Sequence, residues 1–408
     1  MLRLDDAPVK KTEKRKVKRK RTPRAFDYEK AILTMSRLKP RYLNLGLFLP
    51  VLAVSIFGVL MVYSASWYNA EVYQGNRYYF FTSQLIGLIV GILALTLTYH
   101  LDFKTYHKRS KIILGIAVVL LLLVFVPGLG IERLGAQRWI GVGGFTIQPS
   151  ELAKFAFIIF AASIAATSTN KNNPTEQLTV KKFFIILASG GLLCGLILLQ
   201  PNLSIVMTLG ATMIVCLFLF GARWKHLLIL AVPILIIIPV MLIAEPYRIA
   251  RLVAFVDPWA TPRAEGFQLI QSLFSLGNGG LFGRGFLNST QKYMFLPFSE
   301  SDFIFSIIGE EFGLVGAVIF LATLGFIVFK IFKVGLQSKD IFGRYVCFGI
   351  AALIFIQSAI NIAVVTGSIP PTGLPLPFVS FGGTSLAVFL AGIGIVLNID
   401  KYNKKLLK

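Results

Sequence analysis

The sequence predicts an all-α, polytopic membrane protein: a bundle of ten transmembrane helices whose N- and C-termini are both cytoplasmic. Two observations lead to this fold class. Of the 408 residues, 55% are hydrophobic and only 15% are charged, and the mean hydropathy is +0.73. A soluble chain of this length cannot bury so large an apolar fraction. Apolar runs of roughly 18–25 residues, long enough to cross a bilayer, also recur along the chain.

The ten apolar runs begin just after a basic N-terminal segment. They lie at 44–66, 78–99, 111–128, 151–168, 183–199, 202–220, 226–244, 303–332, 344–366 and 376–399. The weakest division separates the fifth run from the sixth, where only Pro201 and its polar neighbours in LLQPNLS interrupt the apolar sequence. A proline does not continue a helix, so we interpret this point as a turn between two spans.

The charges of the loops set the orientation of the bundle. An even number of spans puts both termini on one side, and placing the N-terminus inside leaves the inner loops rich in Lys and Arg, as the positive-inside rule requires. These loops are HLDFKTYHKRSK, STNKNNPTEQLTVKK, GARWKH, KIFKVGLQSKDIFGR and the tail KYNKKLLK. A long extracytoplasmic loop, residues 245–302, then joins spans seven and eight.

The chain divides into three parts: a tail at 1–43, a membrane domain at 44–399 that includes the outer loop 245–302, and a cytoplasmic tail at 400–408. Residues 1–43 carry 15 Lys or Arg against 5 Asp or Glu. We expect this tail to be largely disordered and to contact anionic membrane lipid. The formal charge of +22 is concentrated in such cytoplasmic segments, so we predict no nucleic-acid partner. We also expect no cleavable signal peptide, because the first run is long enough to span.

Several kinds of chemistry are disfavoured by this orientation. The three histidines, His100, His107 and His226, all fall on the inner side. A Ser-His-Asp triad or a histidine zinc site at the outer face is therefore excluded. No phosphate loop of the Walker type occurs, which argues against ATP hydrolysis by this chain. No ligand cluster for a metal is visible, although a divalent cation as cofactor stays open.

The outer loop 245–302 is the most informative segment. It is far longer than a connection requires, and its stretch EGFQLIQSLFSL is amphipathic, which is typical of a helix lying along the membrane surface. It also keeps cations outside, against the usual bias. The cations of this loop are Arg248, Arg251, Arg263, Arg284 and Lys292, and Arg138 on an earlier outer loop joins them in one set. Each alone suits a lipid headgroup, but together they favour an anionic substrate such as a lipid-linked diphosphate.

Two acidic positions at the outer ends of spans are candidates for chemistry. In QPSELAK, Glu151 and Lys154 stand three apart at the start of a helix and share one face, which we expect to line a polar cavity rather than to meet lipid. Asp302 stands at the outer end of the eighth span. It is either the N-cap of that helix or a general base toward a sugar hydroxyl, with a pKa raised by its low-dielectric surroundings. Glu310 lies deeper on the same side.

An ordered set of motifs resembles the SEDS family, the shape, elongation, division and sporulation proteins of bacteria. The motifs are GAQRWIGVGGFTIQPSELAK, LLQPNLSIVM, FVDPWATPRAEGFQLIQSL, GRGFLNSTQKYMFLPFSESDFIFSIIGEEFGLVG and GSIPPTGLPLPFVSFGGTSL. The resemblance runs from the first span to the last and leaves out the basic tail. Each motif alone is moderately specific, and the ordered set is highly specific.

The resemblance implies a peptidoglycan glycosyltransferase of the bacterial cytoplasmic membrane that polymerises lipid II into glycan strands at the outer face, with a class B penicillin-binding protein as its transpeptidase partner. Asp302 matches the essential acid of the family's TDFIF motif, and Glu151 and Lys154 match its charged pair on the fourth span. We predict Asp302 as the catalytic residue. The predicted substrate-binding residues are Glu151, Lys154, Arg138, Lys292, Arg284 and Gln291, and no metal ligand is assigned.

Within the family, NSTQKY, GEEFG and PFVSFGGTS are closer to the division members, FtsW, than to the elongation members, RodA, which are the second choice. We therefore expect a location at the division septum and contacts with other division proteins. The chain departs from the family pattern at several positions, so substrate contacts are not carried over in detail. These positions are Thr146, Thr261, Phe298, Ser299 and Ser301.

Two other functions compete with polymerisation. A lipid II flippase would need polar groups through the whole depth of the bundle, whereas the unusual charges here concentrate at the outer ends of spans. A non-catalytic scaffold that activates a class B penicillin-binding protein would need a partner groove and no essential acid. That role is compatible with catalysis and stays open.

Overall fold

A computed structural model of the protein describes residues 43–133, 135–142, 145–167, 178–230 and 246–406. Within these ranges the chain is mostly helical, and its helices are α1 (Leu45–Gln74), α2 (Tyr79–His100), α3 (Phe103–Leu123), α4 (Pro149–Ala166), α5 (Val180–Leu198), α6 (Leu203–Leu219), α7 (Trp224–Ile229), α8 (Pro246–Val256), α9 (Phe267–Gly279), α10 (Ile304–Leu336), α11 (Ile341–Val365) and α12 (Gly383–Leu406). The basic tail lies outside the described residues, as does most of the predicted seventh run.

Seven of the described helices are long and apolar enough to cross a membrane: α1, α2, α4, α5, α10, α11 and α12. A shorter apolar helix, α6, adds 17 residues. The share of the apolar stretch that is buried inside the protein is largest in α4 at 83%, α12 at 72% and α11 at 67%. These three therefore form the centre of the bundle.

The bounds of three predicted runs were wrong. The first run was placed at 44–66, but α1 continues to Gln74. The tenth run was placed at 376–399, but α12 begins at Gly383 and continues to Leu406. The residues before it are a loop, since the sequence PPTGLPLP contains four prolines that cannot extend a helix. The third run was placed at 111–128, whereas α3 begins at Phe103, because the Asp102 side chain caps it by accepting a hydrogen bond from the Lys104 amide at 3.0 Å.

A small sheet between α3 and α4 corrects the prediction of an all-α fold. Its antiparallel strands are β1 (Gly130–Arg133), β2 (Ala136–Val142) and β3 (Phe145–Ile147), in the order β1-β2-β3. Gly130 pairs with Ile140, which pairs on its other side with Ile147. The strands are too short and too rich in glycine to show a period of two, so only their mutual pairing reveals them.

Close contact between α2 and α12 depends on small residues. A Cβ atom at Gly87 would lie 2.6 Å from the Cα of Gly383. One turn earlier on α2, the amide group of Gln84 donates to the Ser380 carbonyl at 3.1 Å and accepts from the Gly382 amide at 3.0 Å. The Pro/Gly segment, residues 367–382, is thereby fastened to the face of α2.

Helix α10 is interrupted at Gly313, whose φ is +67°. Residues 280–285 lie against this break and replace the lost helical hydrogen bonds. The amides of Leu314 and Val315 donate to the carbonyls of Gly280 and Leu281 at 2.9 and 3.0 Å. The outer loop therefore enters the bundle beside α10 before it returns to the start of that helix.

Candidate active site

Asp302 stands two residues before α10, where the outer loop meets the Pro/Gly segment. The N-cap of α10 is Phe303, and no side chain caps this helix end. The alternative prediction that Asp302 is a helix cap is therefore wrong. The residue is half-buried, and within the described residues no hydrogen bond occupies its carboxylate. The acid is left available for another role.

The backbone around Asp302 is tightly fixed. The side-chain amide of Asn361, on α11, donates to the carbonyl of Asp302 at 2.8 Å and to that of Leu374 at 2.7 Å. The Ser380 hydroxyl donates to the Ser301 carbonyl at 2.6 Å. Asp302 is thus held between α11 and the Pro/Gly segment through main-chain contacts, and its side chain takes no part in them.

Gly373 makes room for the Asp302 carboxylate. Its φ of +72° is in the left-handed region, where residues other than glycine are strained. A Cβ atom added there would lie 3.2 Å from Oδ2 of Asp302. The Pro/Gly segment therefore forms the wall that faces this oxygen.

Burial raises the pKa of Asp302 from 3.8 to about 6, and the negative charge of nearby Glu300 adds to the increase. Arg251 and Arg138 act in the opposite direction, so positive charge also lies within reach of the carboxylate. At neutral pH the group is mostly ionised yet more basic than an ordinary Asp. Those are the properties that a general base requires.

Glu151 and Lys154 form a fully buried ion pair at the start of α4. Lys154 Nζ lies 2.8 Å from Glu151 Oε1 and donates to Gln357 Oε1 at 2.7 Å. The Ser385 hydroxyl donates to Glu151 Oε2 at 2.8 Å. The pair is buried inside the bundle, where it meets side chains of α11 and α12.

The buried pair and Asp302 are linked through α11. Gln357 Nε2 donates to the Pro375 carbonyl at 2.8 Å, and Asn361 lies one turn further along the same face of the helix. Two amides of α11 therefore join Lys154 to the Pro/Gly segment and that segment to Asp302. Sequence reasoning missed both amides, although a polar residue within an apolar span is a signal that could have found them.

Arg138 lies on β2 and anchors the small sheet. Its guanidinium donates to the carbonyls of Gln200 and Pro201 at 3.3 and 2.5 Å. These two residues form the turn between α5 and α6. Because Arg138 also acts on the pKa of Asp302, it belongs to the electrostatic surroundings of the acid. Of the other outer cations, Arg248 has a side chain outside the described residues, whereas Arg251 also acts on Asp302.

The remaining predicted binding residues gather around two buried acids of α10. Arg284 Nη1 lies 3.7 Å from Glu310 Oε1, and Lys292 Nζ lies 3.3 Å from Glu311 Oε1. The main-chain amide of Gln291 donates to Glu310 Oε2 at 3.4 Å. Within the described residues, no hydrogen bond or ion pair joins this cluster directly to Asp302, so the structure divides the predicted site into two groups.

The chain matches known proteins over nearly its whole membrane domain. The model of a family of cell cycle proteins, FtsW, RodA and SpoVE, matches residues 45–405. Stage V sporulation protein E of Bacillus subtilis is 37% identical over 88% of this chain and 98% of its own length. The probable peptidoglycan glycosyltransferase FtsW of Geobacter metallireducens is 38% identical over 88% and 94%.

Solved structures are similar as well. A chain from a peptidoglycan synthase complex has a TM-score of 0.73 and 28% identity, with 89% of this chain and 99% of that one covered. The rod shape determining protein RodA of Thermus thermophilus has a TM-score of 0.64 and 26% identity, with 88% and 97% covered.

Proposed function

This chain belongs to the FtsW/RodA/SpoVE family, and we propose that it is a multi-pass membrane peptidoglycan glycosyltransferase that polymerises lipid II into glycan strands. The observation that carries the proposal is Asp302. It is a partly exposed acid with a pKa raised to about 6, and it stands beside the Pro/Gly segment with two arginines acting on its charge. This combination suits a base that works next to an anionic leaving group.

The reaction makes one bond and breaks one. The hydroxyl oxygen of the acceptor lipid II sugar attacks the anomeric carbon of the lipid-linked strand, forming the glycosidic bond. The bond from that carbon to the diphosphate breaks, and the diphosphate leaves on its lipid. Asp302 takes the hydroxyl proton as the oxygen attacks. Positive charge from residues such as Arg138 and Arg251 balances the charge that develops on the leaving group.

The two groups of predicted binding residues receive different support. Glu151 and Lys154 are assigned to holding the Pro/Gly segment in place through Gln357, since all the contacts of their charged atoms are made inside the protein. Substrate contacts by Lys292, Arg284 and Gln291 stay a prediction.

The same proposal includes the membrane topology of the chain, its location in the cell and its partners. The full chain crosses the cytoplasmic membrane ten times, with both termini inside, so that loop 245–302 and Asp302 face outward. The partner is a class B penicillin-binding protein, and the setting is the division septum, with other division proteins. The basic tail binds anionic lipid. Support comes from the seven spanning helices and from the relatives named FtsW.

The test is strand synthesis from labelled lipid II by purified protein, with and without its cognate transpeptidase. Wild type is expected to form polymer, and Asp302→Asn is expected to form none. A matched control is Asp257→Asn, because the Asp257 carboxylate caps a short 3-10 helix in the same outer loop. Asparagine caps a helix about as well as aspartate, so this variant should retain activity.

Each outcome has a clear meaning. If Asp302→Asn made strands at the wild-type rate, Asp302 would not be the base. If folded wild type made no strands even with its partner, the polymerase assignment would fail. Flipping of lipid II across vesicles, or activation of the transpeptidase alone, would then be measured on the same preparations.

A further inference from the structure

The strap, residues 284–301, connects the break in α10 to Asp302, and two buried acids of α10 hold it. Glu310 accepts hydrogen bonds from the amide and the hydroxyl of Thr290 at 2.9 and 2.8 Å and from the Ser289 hydroxyl at 2.5 Å. Glu311 accepts from the Ser289 amide at 3.3 Å and from the Ser64 hydroxyl, on α1, at 2.5 Å. The acids therefore bind the strap to two helices.

Charge in this cluster is balanced internally. Glu310 faces Arg284 and Glu311 faces Lys292, so two acids meet two cations. The side chains of Lys292 and Glu311 are fully buried. Lys292 Nζ also donates to the Leu287 carbonyl. A lysine that is buried, paired and bound to its own loop has little capacity left for an anionic substrate.

The strap has a backbone that requires such support. Leu287, Met294 and Phe298 have φ values of +66°, +67° and +55°. Residues other than glycine and asparagine are strained at such positive φ values, and the strain persists only where surrounding contacts impose it. The Lys292 ammonium is bound directly to one of these strained residues, Leu287. The ion pair is therefore placed to maintain the conformation of the strap.

We propose that Lys292 and Glu311 are positioning residues, whose buried ion pair fixes the strap and thereby the place of the Asp302 carboxylate. This inference rests on the proposed function. It replaces a substrate-binding role for Lys292 with one that acts through another residue.

The path from the pair to the acid is short and continuous. The amide of Leu296 donates to the Gln291 carbonyl at 2.9 Å, and the Ser299 hydroxyl donates to the Ala65 carbonyl of α1 at 3.1 Å. The Glu300 carbonyl then accepts from the Phe381 amide of the Pro/Gly segment at 2.9 Å. A strap released at Lys292 loses its register with α1, and Asp302 shifts against the wall at Gly373.

A double-mutant cycle separates positioning from substrate binding. Lys292→Met leaves Glu311 buried and unpaired, and Glu311→Gln leaves Lys292 unpaired. Each single variant is expected to lower the turnover number about 100-fold, the order expected when a reacting group is misplaced by about 1 Å. The apparent KM for lipid II should change by less than about threefold, because the residues that contact substrate remain.

The double variant Lys292→Met/Glu311→Gln has no unpaired buried charge. Replacing both members of a buried pair is far less damaging than removing one, and the hydrogen bonds of Ser289 and Thr290 to Glu310 still hold the strap. The bond from Lys292 to Leu287 is lost, so turnover should recover in part, to within about tenfold of wild type. Arg77→Met is the matched control: it breaks the exposed Arg77–Glu71 pair, 3.4 Å apart, and should change turnover less than about twofold. Lys292→Arg, which keeps the charge, should be milder than Lys292→Met.

Hydrogen exchange gives a readout that does not require activity. Amides of residues 284–301 should exchange faster in each single variant and return toward wild-type rates in the double variant. A double variant as inactive as Lys292→Met, with a strap as protected as in wild type, would mean that Lys292 acts on substrate and would overturn the proposal. Unchanged exchange in the single variants would also overturn it. Failure of the proposed function is distinguishable, because wild type would then make no strands at all.

Discussion

Asp302→Asn is expected to make the protein more stable while it abolishes strand synthesis. Folding moves the Asp302 carboxyl into surroundings that raise its pKa from 3.8 to about 6. At neutral pH the folded state therefore carries a charge that it disfavours. Asparagine has a similar shape and no charge, and within the described residues no hydrogen bond of the Asp302 carboxylate would be lost.

The magnitude follows from the pKa. One unit corresponds to about 1.4 kcal/mol, so a rise from 3.8 to about 6 is worth about 3 kcal/mol, and partial exposure reduces this to about 2 kcal/mol. Below about pH 4 the acid is protonated in both states and costs nothing. Between about pH 4 and 6 the unfolded state releases its proton first, so wild type loses stability as pH rises, and above about pH 6 the penalty is constant.

The assay is unfolding of wild type and Asp302→Asn in one detergent at pH 5 and pH 8. The variant should be more stable by about 1 kcal/mol at pH 5 and by about 2 kcal/mol at pH 8. Asp102→Asn is the control, because asparagine replaces aspartate well as the N-cap of α3, and it should change little at either pH. A variant less stable than wild type at pH 8 would refute the reasoning, since Asp302 would then hold the structure together.

Three further predictions concern the same site. Strand synthesis by wild type should fall about tenfold from pH 7 to pH 5 as Asp302 gains its proton, whereas an unshifted Asp would give a nearly flat profile there. Gly373 has a φ of +72°, and a Cβ atom there would lie 3.2 Å from Asp302 Oδ2, so Gly373→Ala should lower turnover at least about tenfold. Turnover equal to that of wild type would show that the Pro/Gly segment does not fix the position of the carboxylate. Lys154→Met should destabilise the protein by about 3–5 kcal/mol, since it leaves Glu151 charged and buried. An unfolding midpoint equal to that of wild type would contradict this account of the pair.

The sequence predicted most of the described apolar helices, because each has to satisfy a simple physical requirement. A helix that crosses a bilayer needs about 20 apolar residues, and a run of this length can be recognised in the local sequence alone. The predictions from sequence were wrong where a segment's structure depends on contacts with other parts of the chain. Strand β2 forms because it pairs on both sides, and α12 begins only where the Pro/Gly segment ends its contact with Gln84 of α2.

Individual site residues were predicted for a similar reason. Asp302, Glu151 and Lys154 stand out because charges are rare beside apolar runs and because their motifs resemble those of a family. Their partners did not stand out. Gln357 and Asn361 are single amides within the eleventh helix, and nothing local in the sequence connects them to α4 or to Asp302. Contacts between residues about 200 positions apart, such as Lys154 with Gln357, arise only on folding.

By itself the sequence determined that this is a multi-pass membrane protein, and it singled out an acid, Asp302, next to the start of one apolar helix and cations in the long loop before that helix. These properties depend on composition and local order. The spacing of Glu151 and Lys154 already places those two charges on one face of a helix. Only the tertiary structure decided that Lys154 also meets Gln357, that Lys292 pairs with Glu311, and that no hydrogen bond reaches the Asp302 carboxylate among the described residues. A buried charge is stabilised by whichever group lies within a few ångströms, and for groups that are not neighbours in one helix that distance is set by tertiary packing.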